Sequence, residues 1–231
     1  MTTVRFMSYN VRSLRDDARA VGRVMRAASP DVVLVQEAPR FARWRSHAAA
    51  IARRAGLVVV TGGRTAAGNL LLCHLRLEVE AVQDVPLSRD PRLHRRGAAM
   101  AVLRLGDRRF AVAGTHLDLE AGPRLRHVGE LRDAVERFAP GLPAVIGGDL
   151  NDVPGSPVFA ALAGAGVDAW AQVGTGDGAT IGVNEPHRRI DALFLGPGLT
   201  PVRAEVPDSP DVRRASDHRP LVVDVELGDT G

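Results

Sequence analysis

Short apolar runs recur along the chain, and between several of them lie segments whose apolar residues repeat every three or four positions. The first pattern predicts strands and the second amphipathic helices. Strands are expected over residues 5–9, 32–35, 57–61, 69–74, 77–85, 98–105, 108–114, 190–195, 202–206 and 221–227, with another in Ala144-Val145-Ile146. The run Val32-Val33-Leu34-Val35 has no alternation, as expected of a strand covered on both faces. Helices are expected over 16–28, 41–55 and 122–138. The last carries Leu125, Val128, Leu131, Val135 and Phe138 on one face. Ser156-Pro157 starts a further short helix, with Ser as N-cap and Pro at the first helical position. Gly106-Asp107 joins two strands as a hairpin turn. The glycine-rich segment 168–186 is expected to be a surface loop. Helices between strands, together with hairpins, favour a layered α/β sandwich with mixed sheets over a strictly parallel one.

Composition changes this picture little. The 231 residues are 45% apolar and 25% charged, an ordinary globular profile. They are expected to form a single domain over 1–227, with 228–231 a frayed tail. No apolar run approaches the roughly 20 residues that span a bilayer, and Met1-Thr2-Thr3-Val4-Arg5 does not resemble a signal peptide. A cytoplasmic location is the expectation. Cys73, the one cysteine, sits in an apolar run and is expected to be a buried small hydrophobe. Of the histidines, His47 and His127 are expected on helix surfaces, His74 buried after a strand, and His94 and His187 in loops.

Charge adds one feature. The net charge is +3, and all 30 basic residues are Arg. Coding bias accounts for this, and so does phosphate recognition, since the guanidinium fork matches phosphate oxygens. Arginine-rich loops at Arg92, Arg95 and Arg96, at Arg188 and Arg189, and at Arg213 and Arg214 are candidates for phosphate contact.

The chemistry gathers where strands end. In Ala144-Val145-Ile146-Gly147-Gly148-Asp149-Leu150-Asn151 an apolar run delivers a carboxylate and a carboxamide two residues apart, on one face of an extended chain. In isolation this is equally an Asx-turn. The glycines are expected to leave room for a phosphate. The same design closes other runs, at Asn10, at Gln36-Glu37, at Thr115-His116, at Ile190-Asp191 and at Ser216-Asp217-His218.

These endings, in this order, resemble the motif set of the endonuclease/exonuclease/phosphatase family, over about residues 4–227. Gly68-Asn69, Arg96-Gly97 and Thr180 also fit its pattern. The resemblance implies a four-layered α/β sandwich, two mixed β-sheets packed face to face with helices outside and the active site at one rim. It implies a phosphoesterase using Mg²⁺ or Mn²⁺, the cations that hard oxygen ligands favour. The implied metal ligands are Asn10, Glu37 and Asp217. His116, Asp149, Asn151, Asp191 and His218 are implied as catalytic, with Asp191 holding the His218 tautomer. Arg96, Asn69 and Thr180 are implied substrate contacts. Two imidazoles imply a rate that varies with pH near neutrality.

The leading expectation is a phosphodiesterase or nuclease in which Asp191-His218 activates water or polarises phosphate. A phosphomonoesterase acting on a small metabolite or lipid headgroup is the alternative, and an inactive binding module a third. The partner is a phosphate-ester substrate, with nucleic acid among the candidates. An abasic-site function is disfavoured, because no aromatic precedes Ser216. Aromatics at 4% argue against gripping single strands by base stacking.

Overall fold

The computed structural model describes residues 2–228. In chain order the elements are β1 (Thr2–Asn10), α1 (Ala18–Ala28), β2 (Val32–Gln36), α2 (Trp44–Ala55), β3 (Val58–Gly62) and β4 (Leu70–Cys73). Then come β5 (Glu78–Pro86), β6 (Gly97–Leu105), β7 (Arg108–His116), α3 (Ala121–Phe138), β8 (Ala144–Asp149) and α4 (Pro157–Ala163). The last are β9 (Val167–Asp168), α5 (Ala169–Val173), β10 (Asp191–Leu195), β11 (Leu199–Glu205), α6 (Pro210–Ala215) and β12 (Leu221–Leu227).

The strands form two six-stranded mixed sheets, ordered β11-β12-β1-β2-β4-β3 and β5-β6-β7-β8-β10-β9. Their apolar runs explain the layering. In β2, Val32 and Leu34 face the other sheet while Val33 and Val35 pack beneath α1 and α2. Both faces are covered, so the run shows no polar alternation. Phe6 of β1 meets Phe110 of β7 edge-on across the sheets, with ring centroids 5.8 Å apart. On the far side, α3 and α4 cover the second sheet through Val128, Leu131, Phe159 and Leu162. The result is the expected four-layered α/β sandwich.

Topology then sets the rim. β1 runs parallel to β2 and β7 parallel to β8, with Asn10 beside Gln36 and His116 beside Asp149. The carboxyl ends of these four strands meet at one edge. β10 is antiparallel to β8, so its first residue, Asp191, pairs with Asp149.

Several local expectations change. Segment 168–186 is not simply a surface loop. It contains α5, and Ala169, Trp170, Ala179 and Thr180 are buried. Its glycines fit the backbone around the Trp170 ring, which a Cβ at Gly174 or Gly178 would approach to 2.4 Å. α6 was not expected, although Ser209 caps it and Pro210 starts it, the same signal as Ser156-Pro157. α2 begins at Trp44 rather than at 41, with Arg43 left-handed at its N-cap. His127 is buried, with Nε2 2.9 Å from the Ser88 carbonyl, because Ser88 lies over that face of α3. His74 is exposed, since β4 ends at Cys73. Gly228 donates to the Gly198 carbonyl, so it is tied down. The rest of the expected tail, 229–231, lies outside the described residues.

Candidate active site at the strand rim

Asn10 enters the rim from the end of β1, in the first sheet. Its Nδ2 donates to Asp149 Oδ2 at 2.9 Å and to Glu37 Oε1 at 3.3 Å. Its Oδ1 accepts from the Arg12 N–H. Asp149 belongs to the second sheet, so one amide joins the sheets and draws two carboxylates to one nitrogen. Glu37 follows β2 directly, in the left-handed region at φ 51°. That conformation is uncommon for a non-glycine residue and is typical of functional sites.

His218 reaches the same point from the turn before β12. The Ser216 hydroxyl donates to the Asn10 carbonyl and accepts from the His218 N–H, which fixes the approach. His218 Nδ1 lies 2.9 Å from Asp191 Oδ2 and donates to it, while Nε2 lies 3.7 Å from Asp149 Oδ2. His116 Nε2 is 3.3 Å from the same Asp149 oxygen and 3.0 Å from Asn151 Nδ2. Asn151 also donates to the Leu117 carbonyl, and its own N–H donates to Asp149 Oδ1.

Burial sets the electrostatics. By itself it would push the His218 imidazole down. Asp191, with Asp149 and Asp217 beyond it, overrides this and holds the ring up at about 9. Burial also pushes the Asp191 carboxyl up, so the pair binds its shared proton more tightly than either group alone. At His116 burial wins over the Asp149 charge, and the ring falls to about 4. Asp149 goes the other way. Burial would raise it, but the two imidazoles, the Asn10 amide and the Asn151 N–H hold it below the ordinary carboxylate value. At neutral pH the rim therefore presents an imidazolium at 218, a neutral imidazole at 116 and a carboxylate at 149. Residue type alone predicts that both imidazoles titrate near neutrality, whereas their surroundings move one well above it and the other well below.

Asn10, Glu37, His116, Asp149, Asn151, Asp191 and His218 thus come together. The other candidates are placed differently. Asp217 alternates outward from His218; its carboxylate is 40% exposed and lies 3.3 Å from Arg12 Nε. Asn69 is buried, and its Nδ2 is taken by the carbonyls of Ala66 and Gly97. The Thr180 hydroxyl accepts from the N–H groups of Ile190 and Asp191, so it fixes the Asp191 backbone. Arg96 borders the rim with a side chain only 9% exposed, 3.6 Å from Asp118. Asp118 lies just beyond Thr115-His116-Leu117 and was not singled out from the sequence; its signal was an acid two residues past a strand-end imidazole. Arg189 is committed to Asp168 at 2.6 Å, and Arg213 and Arg214 pair with Asp208 and Asp211. Gly147 and Gly148 do not make room for a phosphate. A Cβ at either would lie 2.0–2.1 Å from a neighbouring strand's carbonyl, that of Ala192 or Thr115.

A divalent cation fits this donor set. Asp149 and Glu37 share one amide nitrogen, a charge excess that a hard cation would balance with oxygen ligands. Donor atoms of Asp149, Asp191 and His218 also lie within 4.8 Å of one another. Asp191 and His218 are engaged with each other, which leaves Glu37, Asp149 and Asn10 as the better candidates to hold it.

The sequence profile of the endonuclease/exonuclease/phosphatase family matches residues 7–218. No curated protein matches significantly. Among solved structures, an endonuclease/exonuclease/phosphatase from Bacteroides vulgatus superposes with a TM-score of 0.82 at 21% identity, covering 98% of this chain and 100% of that one. A mannosyl-6-phosphatase from Bacteroides thetaiotaomicron gives 0.81 at 16% identity, covering 97% and 100%. The human Nocturnin catalytic domain, with bound sulfate, gives 0.76 at 19% identity, covering 97% and 93%. At these identities the likeness is one of fold.

Proposed function

Because the chain belongs to the endonuclease/exonuclease/phosphatase family, we propose that it is a metal-dependent phosphodiesterase of nuclease type. The observation that carries this reading is a buried imidazole bonded to one carboxylate at 2.9 Å while its other nitrogen faces a second at 3.7 Å. Such an arrangement serves phosphate-ester hydrolysis. An anionic substrate repels its nucleophile, so the site must supply positive charge at the phosphate and a base for water. In this reading the His218 imidazolium, held by Asp191, donates its Nε2–H to a non-bridging phosphate oxygen. The Asp149 carboxylate takes a proton from water as the new P–O bond forms and the ester P–O bond breaks. Asn10 and Asn151 orient Asp149 through the N–H groups already described. Mg²⁺ or Mn²⁺, bound through Glu37, Asp149 and Asn10, would neutralise phosphate charge and stabilise the leaving oxygen.

The experiment is hydrolysis of bis(4-nitrophenyl) phosphate and 4-nitrophenyl phosphate, side by side, with Mg²⁺ or Mn²⁺. The diester is expected to turn over, and EDTA to abolish turnover. Glu37→Gln and His218→Ala should each lower kcat by about 10²–10⁴-fold with the fold intact by circular dichroism. Turnover of the monoester alone would replace this reading with a phosphomonoesterase, an activity that the mannosyl-6-phosphatase neighbour carries on the same fold. Since His218 is held at about 9 and Asp149 is already ionised, the rate is expected to stay flat through neutrality and to fall as pH rises past about 9. A steep change between pH 6 and 7 would contradict these roles.

A further inference from the structure

Beside the rim lies an open cleft of about 980 Å³. Three short segments build its walls: the approach to α2 with Arg40, Arg43 and Arg45, the β3–β4 turn with Arg64, and the β5–β6 loop with Arg89, Arg95 and Arg96. No acidic residue lines it. That is unusual in a chain with 27 acidic residues against 30 arginines. Elsewhere arginines are commonly neutralised, as Arg5 is by Asp224, Arg23 by Asp211 and Arg76 by Asp31. In the cleft, Arg43, Arg45, Arg64, Arg89 and Arg95 have no carboxylate partner among the described residues. Unopposed like charges gathered in a concavity repel one another and cost stability unless an anion occupies the space.

The residues at the edge of the cleft point to the occupant. Arg96, where cleft and rim meet, has a nine-tenths buried side chain whose Nε lies 3.6 Å from Asp118, so it ties the cleft wall to the rim. Phe41 is 80% exposed, the one exposed aromatic among the described residues. The late start of α2 leaves it in the cleft, with the Arg40 guanidinium 5.8 Å from its ring centre. Trp44, under the Arg45 guanidinium at 4.4 Å, lies beside it. Arginine forks beside an exposed aromatic ring form the surface that holds phosphates and stacks unpaired bases. The volume is near the upper end for small-molecule sites, room for a few nucleotides rather than a duplex.

We infer that this cleft is a second anion subsite for the same substrate, and that the substrate is single-stranded nucleic acid. Phosphates flanking the scissile one lie against the arginines, and an unstacked base lies on Phe41. The inference rests on the phosphodiesterase reading only for what happens at the rim; the subsite is tested by binding alone. The low aromatic content, which argued against base stacking, does not weigh against this, because what matters is where the few aromatics lie.

The test is fluorescence anisotropy of a fluorescein-labelled oligothymidylate eight nucleotides long, in EDTA, against salt concentration. The full chain is compared with Arg43→Gln/Arg45→Gln/Arg89→Gln and with Phe41→Ala. These side chains are exposed or half-buried, and circular dichroism checks each fold. The triple variant is expected to bind at least ~10-fold more weakly and to lose about two from the slope of log K against log salt, since each phosphate neutralised on a single strand contributes about 0.7. Phe41→Ala is expected to weaken binding about tenfold with the slope retained. Unchanged affinity and slope in both variants would overturn the subsite. Equal affinity for a duplex of the same length would overturn the single-strand assignment, and equal displacement by inorganic tripolyphosphate at the same phosphate concentration would overturn the nucleic-acid assignment. Arginine-dependent binding without diester turnover would sustain the subsite and remove the function proposed above.

Discussion

At the scale of single residues, two histidines within reach of the same Asp149 oxygen are driven in opposite directions. The difference is the second carboxylate, which His218 has and His116 lacks. Each shift is also a statement about stability. His218 is raised from 6.5 to about 9, so its contribution is complete below pH 6.5 and is lost as pH rises through 9. His116 is lowered from 6.5 to about 4, so it favours folding above pH 6.5, and that is lost as pH falls through 4. In EDTA, stability by urea denaturation is therefore expected to peak near pH 6.5 as far as these two groups decide it. Each arm should be worth about 3 kcal/mol, at 1.36 kcal/mol per pKa unit. His218→Gln should flatten the alkaline arm and His116→Gln the acid arm. Arms that persist in the matching variants would show that other groups set the profile. The residue types here were legible, because each closes an apolar run. Their directions were not. Asn69, Thr180 and Asp217 fit the same motif set, yet one amide and one hydroxyl serve the backbone and one carboxylate turns to Arg12.

At the scale of elements, strand placement was legible because a two-sided core demands unbroken apolar runs. What failed had equally local causes. The Ser209-Pro210 cap announced α6 but leads a helix of only six residues, too short to show a periodic stripe. The glycines of 168–186 read as a loop, whereas they fit the chain around Trp170. Gly147 and Gly148 do mark close approaches, but the approaching groups are strand carbonyls rather than a ligand. Two substitutions separate these glycine roles. Gly148→Ala, at φ 137° with its Cβ 2.0 Å from the Thr115 carbonyl, is expected to cost more than ~4 kcal/mol or to prevent folding. Gly129→Ala, exposed within α3 with nothing within 4 Å of the new Cβ, is expected to add about 0.5–1 kcal/mol. Urea midpoints measure both. A mild Gly148→Ala would mean that β8 can shift, and that the registry of Asp149 is less constrained than its neighbours indicate.

At the scale of the molecule, the site is a seam between the two sheets. Asn10, Glu37 and His218 come from the first sheet and its connections, and His116, Asp149 and Asp191 from the second. The bonds Asn10–Asp149 and His218–Asp191 cross the seam. A cation held by Glu37 and Asp149 would therefore bridge the halves of the sandwich as well as serve chemistry. Binding to the folded state alone stabilises it by about 2.7 kcal/mol at one hundred times Kd. For a chain of this length, about 2–4 °C accompanies each kcal/mol. Saturating Mn²⁺ is thus expected to raise Tm by roughly 5–10 °C. Glu37→Gln, which keeps the hydrogen bond to Asn10 but removes the charge, should abolish most of that shift. Asp217→Asn, whose carboxylate faces Arg12 away from the seam, should keep it. An Mn²⁺ shift that survives Glu37→Gln but disappears in Asp217→Asn would move the cation to the outer side of the rim, and with it the assignment of which carboxylates carry the reaction.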